Sequence, residues 1–240
     1  MMTRIGLFLV CVLLWTTPSW AQVANVQTKT CDVASSTTPS CTFDNPVTSG
    51  NTLTAIVSVR VIQTVNAGPN DATNGAWTCP AGAHFSDGTT NVIICYFNNT
   101  ASATPAVGMT LASASATYWW IAEWSGVANS TPEDGDEEGV DTATPFGVPS
   151  ALTTTTAGLI VCGSASNAAI SATTPATGFT GVAIVNRGYF QYRIGTATTS
   201  DCAYAATGPT STSNAMLGLK EEAAGGGAAA PRGLLLGVYP

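Results

Sequence analysis

The sequence predicts an all-β fold: an antiparallel β-sandwich, jelly-roll-like or enlarged immunoglobulin-like. Three observations predict it. Apolar residues recur at every second position in segment after segment. Turn-forming clusters such as "NAGPNDATNG", "FSDGTTN" and "ATGPTSTS" divide those segments. No stretch sets apolar residues at helical spacing against a charged opposite face. Many short strands at regular spacing indicate a sandwich or barrel.

Residues 1–21 carry Arg4, an apolar run over 5–15, and the small residues Ser19 and Ala21. This is the pattern of a secretory signal peptide cut between Ala21 and Gln22. The run is short against the ~20 apolar residues of a membrane-spanning helix, and no later stretch is long and apolar enough to be one. Cleavage leaves a β-sandwich domain over 22–222 and a tail over 223–240.

Within the domain, "TLTAIVSVRVIQ" (52–63) sets Leu53, Ala55, Val57, Val59 and Val61 on one face. Thr54, Ser58 and Arg60 fall on the other, as in a half-buried strand. "TNVIICYF" (90–97), "AVGMTLASASA" (106–116) and "YWWIAEW" (118–124) follow. "AGLIVCGSA" (157–165), "TGVAIVN" (180–186), "GYFQYRIG" (188–195), "DCAYAA" (201–206) and "NAMLGLK" (214–220) complete the series. An acidic connection over 129–150 breaks the rhythm, as does a Gly/Ala linker ahead of "PRGLLLGVYP". That apolar end, at 234–238, reads as a short strand, paired with its own sheet or with a neighbouring chain.

Six cysteines remain after signal cleavage: Cys31, Cys41, Cys79, Cys95, Cys162 and Cys202. An even number in an exported chain reads as disulfides. Local order favours Cys31–Cys41 and Cys79–Cys95, which leaves Cys162–Cys202. A zinc site has no C-x-x-C to support it, and His84 is the single histidine. Charged residues are only 9% of the chain and the formal net charge is −7. Nucleic acid and anionic lipid are poor partners for such a chain, because counterion release needs clustered Lys and Arg.

The order of a strand, "SASAT", an aromatic strand, "AEWSGV", an acidic Pro-containing loop and "TTTTAGLIVCGSA" carries a resemblance. It is similar to a family of bacterial and phage-associated extracellular β-sandwich domains with a Glu-aromatic-Ser-Gly strand-end motif. The similarity covers 53–220. It implies the fold and an extracellular setting, and it implies no catalytic residues.

The segment "TYWWIAEWSGV" (117–127) packs three tryptophans and a tyrosine around one carboxylate, Glu123. A strand here sets Trp119, Ile121 and Glu123 against Tyr118, Trp120, Ala122 and Trp124. Two readings follow. In the first, the rings are core. Glu123 is then a structural carboxylate, held by Arg60, Arg187 or Arg193 or by backbone donors, since a half-buried carboxylate needs a partner. In the second, Tyr118 and Trp119 form an exposed ligand-binding platform for a sugar. Glycoside hydrolysis by Glu123 needs a second carboxylate about 5–10 Å away, and the sequence places its other acids in loops.

"PEDGDEEGVD" gathers Glu133, Asp134, Asp136, Glu137, Glu138 and Asp141. Such oxygens suit Ca²⁺, the one cofactor the sequence suggests, with Glu133, Asp134, Asp136, Glu138 and Asp141 as its ligands. EF-hand spacing is absent, and dense like charges read first as a solvated loop. His84, Ser86 and Asp87 lie together in sequence, but triad members converge from separate segments and no G-x-S-x-G elbow occurs. His84 reads as an exposed loop residue inside a disulfide hairpin. The sequons at Asn98 and Asn129 read as surface loops.

Two functional expectations result. One is a secreted, non-catalytic module for extracellular adhesion, surface structure or assembly, with a glycan, a cell-surface partner or another copy of the chain as its partner. The alternative is a carbohydrate-binding or carbohydrate-active protein using Tyr118, Trp119 and loop carboxylates.

Overall fold

A strand with bulky residues on both faces must be covered on both, and the architecture follows from that requirement. The computed structural model describes residues 22–61, 63–98 and 100–223. Its central layer is a five-stranded antiparallel sheet in the order β1–β9–β3–β7–β6. These strands are β1 (Ala24–Ser36), β9 (Ser115–Ser125), β3 (Thr52–Val59), β7 (Asn91–Phe97) and β6 (His84–Ser86). A second five-stranded sheet has β10 (Glu133–Asp141), β18 (Thr212–Lys220), β12 (Gly158–Ser166), β15 (Gly188–Gly195) and β14 (Thr180–Val185) in that order. A third sheet orders β2 (Ser40–Thr42), β8 (Ala106–Leu111), β4 (Val65–Asp71) and β5 (Gly75–Ala76). Two small ribbons complete the set, β11 (Leu152–Thr153) with β16 (Thr199–Ser200), and β13 (Ala172–Thr174) with β17 (Ala205–Thr207). A 3₁₀ turn spans Ala81–Ala83.

Alternation along β9 feeds two separate cores. Trp120, Ala122 and Trp124 join Ile56, Ile94, Val161, Phe190 and Leu217 between the first and second sheets. Trp119 and Ile121 join Leu53, Val57, Val107, Met109 and Leu111 between the first and third. The outer face of the second sheet is covered in turn. Val148, Leu152 and Cys202 pack on Ile160, Cys162 and Met216, and Phe146, Ile170 and Tyr204 pack on Tyr189.

β3 departs from expectation. It was expected to be half-buried, yet all eight of its residues are buried. Its polar face tolerates this because each hydroxyl has work inside the protein. Thr54 Oγ1 accepts a hydrogen bond from Trp124 Nε1 at 2.8 Å, and Ser58 Oγ donates to the Ser164 carbonyl at 2.7 Å. The second bond crosses between sheets, as does that of Thr90 with Ser213 at 3.0 Å.

The three expected disulfides are formed. Cys31–Cys41 ties β1 to β2, and so the central sheet to the third. Cys79–Cys95 pins the segment before the 3₁₀ turn to β7, and Cys162–Cys202 pins the outer cover to β12. Bridges of this kind contribute about 2–4 kcal/mol each and are at home in an oxidising compartment. No helix among the described residues is long and apolar enough to cross a membrane. The expected strand at 234–238 lies outside the described residues.

At Gly163 the two large sheets pack so tightly that an added Cβ would meet Ile56 Cγ2. Gly163→Ala is therefore expected to lower stability by about 1–3 kcal/mol. Chemical denaturation should show this as a lower midpoint with an unchanged slope. An unaltered midpoint would mean that the sheets part here without cost.

Candidate functional site

The aromatic segment at 117–127 resolves into core. Trp119 is 0% exposed and Tyr118 is 2% exposed, so neither ring can stack on a sugar, and the platform expectation is corrected. The reason is β9's interior position: β1 and β3 flank it, and other sheets cover both of its faces. Trp120 stacks on Phe190 and Tyr192 with centroids 6.4 and 6.0 Å apart, and Trp124 meets Tyr192 edge-on at 5.1 Å. Such pairs contribute roughly 0.5–1.5 kcal/mol beyond the area they bury.

Glu123 is fully buried, at 0% exposure, and its partners are neutral. Oε1 accepts from the Thr48 backbone N–H at 2.7 Å and from Asn51 Nδ2 at 2.6 Å. Oε2 accepts from Gln27 Nε2 at 2.7 Å. The expected arginines are engaged elsewhere. Arg187 donates to the Asn167 carbonyl and Arg193 to Thr198 Oγ1 at 3.2 Å, while Arg60 is exposed. The carboxylate thus fastens the loop at 43–51 onto β9 and β1. The same loop is tied on its far side by Val47 N–H to the Ala103 carbonyl and Gly50 N–H to the Thr100 carbonyl.

The acidic connection was expected as a solvated loop, but Glu133–Asp141 is β10, an edge strand paired with β18 throughout. Its carboxylates divide by task. Asp134 accepts from the N–H and hydroxyl groups of both Thr155 and Thr156. Burial alone would raise its pKa, but these donors outweigh burial and hold it below the usual value. Asp141 accepts from the Ala143 and Gly147 amides. Glu133, Asp136 and Glu138 lie opposite Leu219, Leu217 and Ala215, which belong to the core between the large sheets. Glu133 and Glu138 are raised above the usual carboxylate value, first by burial and then by the charge of Asp136. Lys220 and the Tyr96 hydroxyl oppose the shift at Glu133, and the His84 backbone N–H opposes it at Glu138. Among the described residues no three His, Cys, Asp or Glu side chains converge as a metal site.

His84 was expected in a loop but opens β6, paired with Ile93. The residue keeps an exposed surface, as expected, and partial burial of the ring lowers its pKa. Ser86 and Asp87 serve the following turn: Ser86 Oγ accepts from Gly88 N–H, and Asp87 from Thr89 and Thr90 N–H. They form no triad with His84. No sequence pattern points to the groove beside His84, which has a volume of about 510 Å³ and is walled by Val65, Pro69, Asn70, Trp77 and Ile93. It opens where the central and third sheets diverge, a feature of tertiary packing alone. Trp77 Nε1 is anchored to Asp71 Oδ2 at 2.8 Å, and Asp71 also accepts from the Thr73 and Asn74 amides.

Two outcomes are expected. Glu123→Ala removes the acceptor of the Thr48 amide and of Asn51 Nδ2, while Gln27 Nε2 keeps the Asn45 and Pro46 carbonyls, and it should cost about 1–3 kcal/mol, measured by denaturant unfolding. Glu123→Gln should cost less, because the Gln27 amide can turn its oxygen toward the new NH₂. Equal losses would show that charge, not hydrogen bonding, holds the loop. The second outcome concerns pH. Glu133 and Glu138 bind protons more readily folded than unfolded, so stability rises as pH falls through their folded values and the gain is complete below their unfolded values. The two carboxyls should raise the melting temperature as pH falls toward about 4.5, against the opposing effect of His84 below about pH 6.5, and Glu138→Gln should remove part of that rise. Below about pH 4, loss of the depressed Asp87 and Asp134 carboxylates reverses the trend.

Compared with known proteins, the chain matches no family model, no curated protein and no solved structure.

Proposed function

We propose that this chain is an exported, non-catalytic β-sandwich module that serves extracellular adhesion, surface structure or assembly. One observation carries the reading: Glu123 and four of the aspartates are consumed in holding segments together. Glu123 is saturated by Gln27, Thr48 and Asn51. Asp71, Asp87, Asp134 and Asp141 each cap a turn or a neighbouring segment. Three disulfides and a low charge content suit a protein that persists outside the cell. The resemblance to extracellular β-sandwich domains of bacteria and phages points the same way. The carbohydrate-binding alternative loses its aromatic platform with Tyr118 and Trp119 in the core.

The mature chain should bind surface material or self-associate, read on a glycan array and by light scattering, while a panel of glycoside and ester substrates stays intact. A hydrolytic activity abolished by Glu133→Gln, Glu138→Gln or His84→Ala at unchanged melting temperature would overturn the reading.

A further inference from the structure

β1 is the outermost strand of the central sheet and, at 13 residues, its longest. β9 pairs with one side of it, and among the described residues no strand pairs with the other. Most other edges are shielded in recognisable ways, the exception being the six-residue, uncharged β14, which pairs with β15 alone. β2, β5 and β6 are only two or three residues long, and β10 is studded with carboxylates. β1 is neither short nor rich in charge, and its pairing with β9 is interrupted only by irregularities at 25–27 and 33–36. Its charges are Lys29, which is paired with Asp44 at 2.7 Å, and Asp32, while Val26 stands 48% exposed. A long open edge of this kind is a template for another strand.

The described chain ends beside it. Glu222 N–H donates to the Gly126 carbonyl at 2.7 Å, and Glu221 bridges Val127. Those residues directly follow β9, whose last residue, Ser125, pairs with Ala24 at the start of β1. Beyond Ala223 the sequence continues "AGGGAAAPRGLLLGVYP". The stretch from there to Gly233 reaches up to about 35 Å, against a length of about 43 Å for β1. The apolar run at 233–239 can therefore begin over most of that edge from its own exit point. We propose that the open edge of β1 is the docking site for the segment at 233–239 of the same chain. Main-chain hydrogen bonds supply the pairing, and the leucines cover the apolar surface around Val26. This rests on the edge and the exit point and does not depend on the functional reading above.

The test compares amide hydrogen exchange in the mature chain, in a chain ending at Ala223 and in Leu235→Asp, with light scattering across a range of concentrations. Every second amide of β1 should exchange at least about tenfold slower in the mature chain than in both variants. That protection should be independent of protein concentration, in a monomer. Identical exchange in all three chains overturns the proposal, as does protection at another edge. Protection that grows with concentration alongside a dimer also overturns it, because the tail then docks on a second copy.

Discussion

Strand β9 has large apolar side chains pointing both ways, and no two-layer arrangement can bury them all. Trp120 and Trp124 call for a sheet on one side, and Trp119 and Ile121 for a sheet on the other. The remaining architecture answers that demand. The second sheet supplies Phe190 and Tyr192, and the third supplies Val107, Met109 and Leu111. Where the third sheet runs out, Glu123 occupies the same face of β9, and a loop closes over it through hydrogen bonds in place of apolar contact.

A chain with so few charges must satisfy its interior polar groups with hydroxyls and amides. It does so at each layer boundary. Ser58 and Thr90 reach across the first boundary to the second sheet. On that sheet's outer face, Asn214 Nδ2 donates to the Gly147 carbonyl and Gln191 Nε2 to the Cys202 carbonyl. The short side chains among them, Ser58, Thr90 and Asn214, lose less conformational entropy on ordering than a lysine or arginine would. The one buried carboxylate on β9 follows the same rule, since its partners are amides and not guanidinium groups.

Much of this was legible in advance. Each segment read as a strand from its alternation overlaps one, and local order picked out two cysteine pairs, which left Cys162–Cys202 as the third. The misses share a cause. β1 is an edge strand whose composition, "ANVQTKTCDVASS", is that of a half-solvated surface, so its apolar signal is thin. β4 contains Gly68 and Pro69 and is broken by register shifts against β8, so turn chemistry masked it. β10 looked like a loop because pairing along β18 is set by backbone hydrogen bonds, to which side-chain charge is indifferent. Glu123 was read as held by arginine or backbone donors, whereas two of its partners arrive from a loop distant in sequence, which no local pattern encodes.

The hydroxyl bonds between the two large sheets have a mechanical consequence. Apolar side chains facing one another can slide with little change in energy, because contact area is nearly the same at neighbouring offsets. A hydrogen bond cannot, because it weakens steeply once its angle and length are lost. The Ser58–Ser164 and Thr90–Ser213 contacts therefore act as dowels between two smooth plates. They fix the offset of one sheet on the other, and a lateral load must break them before the plates can shear.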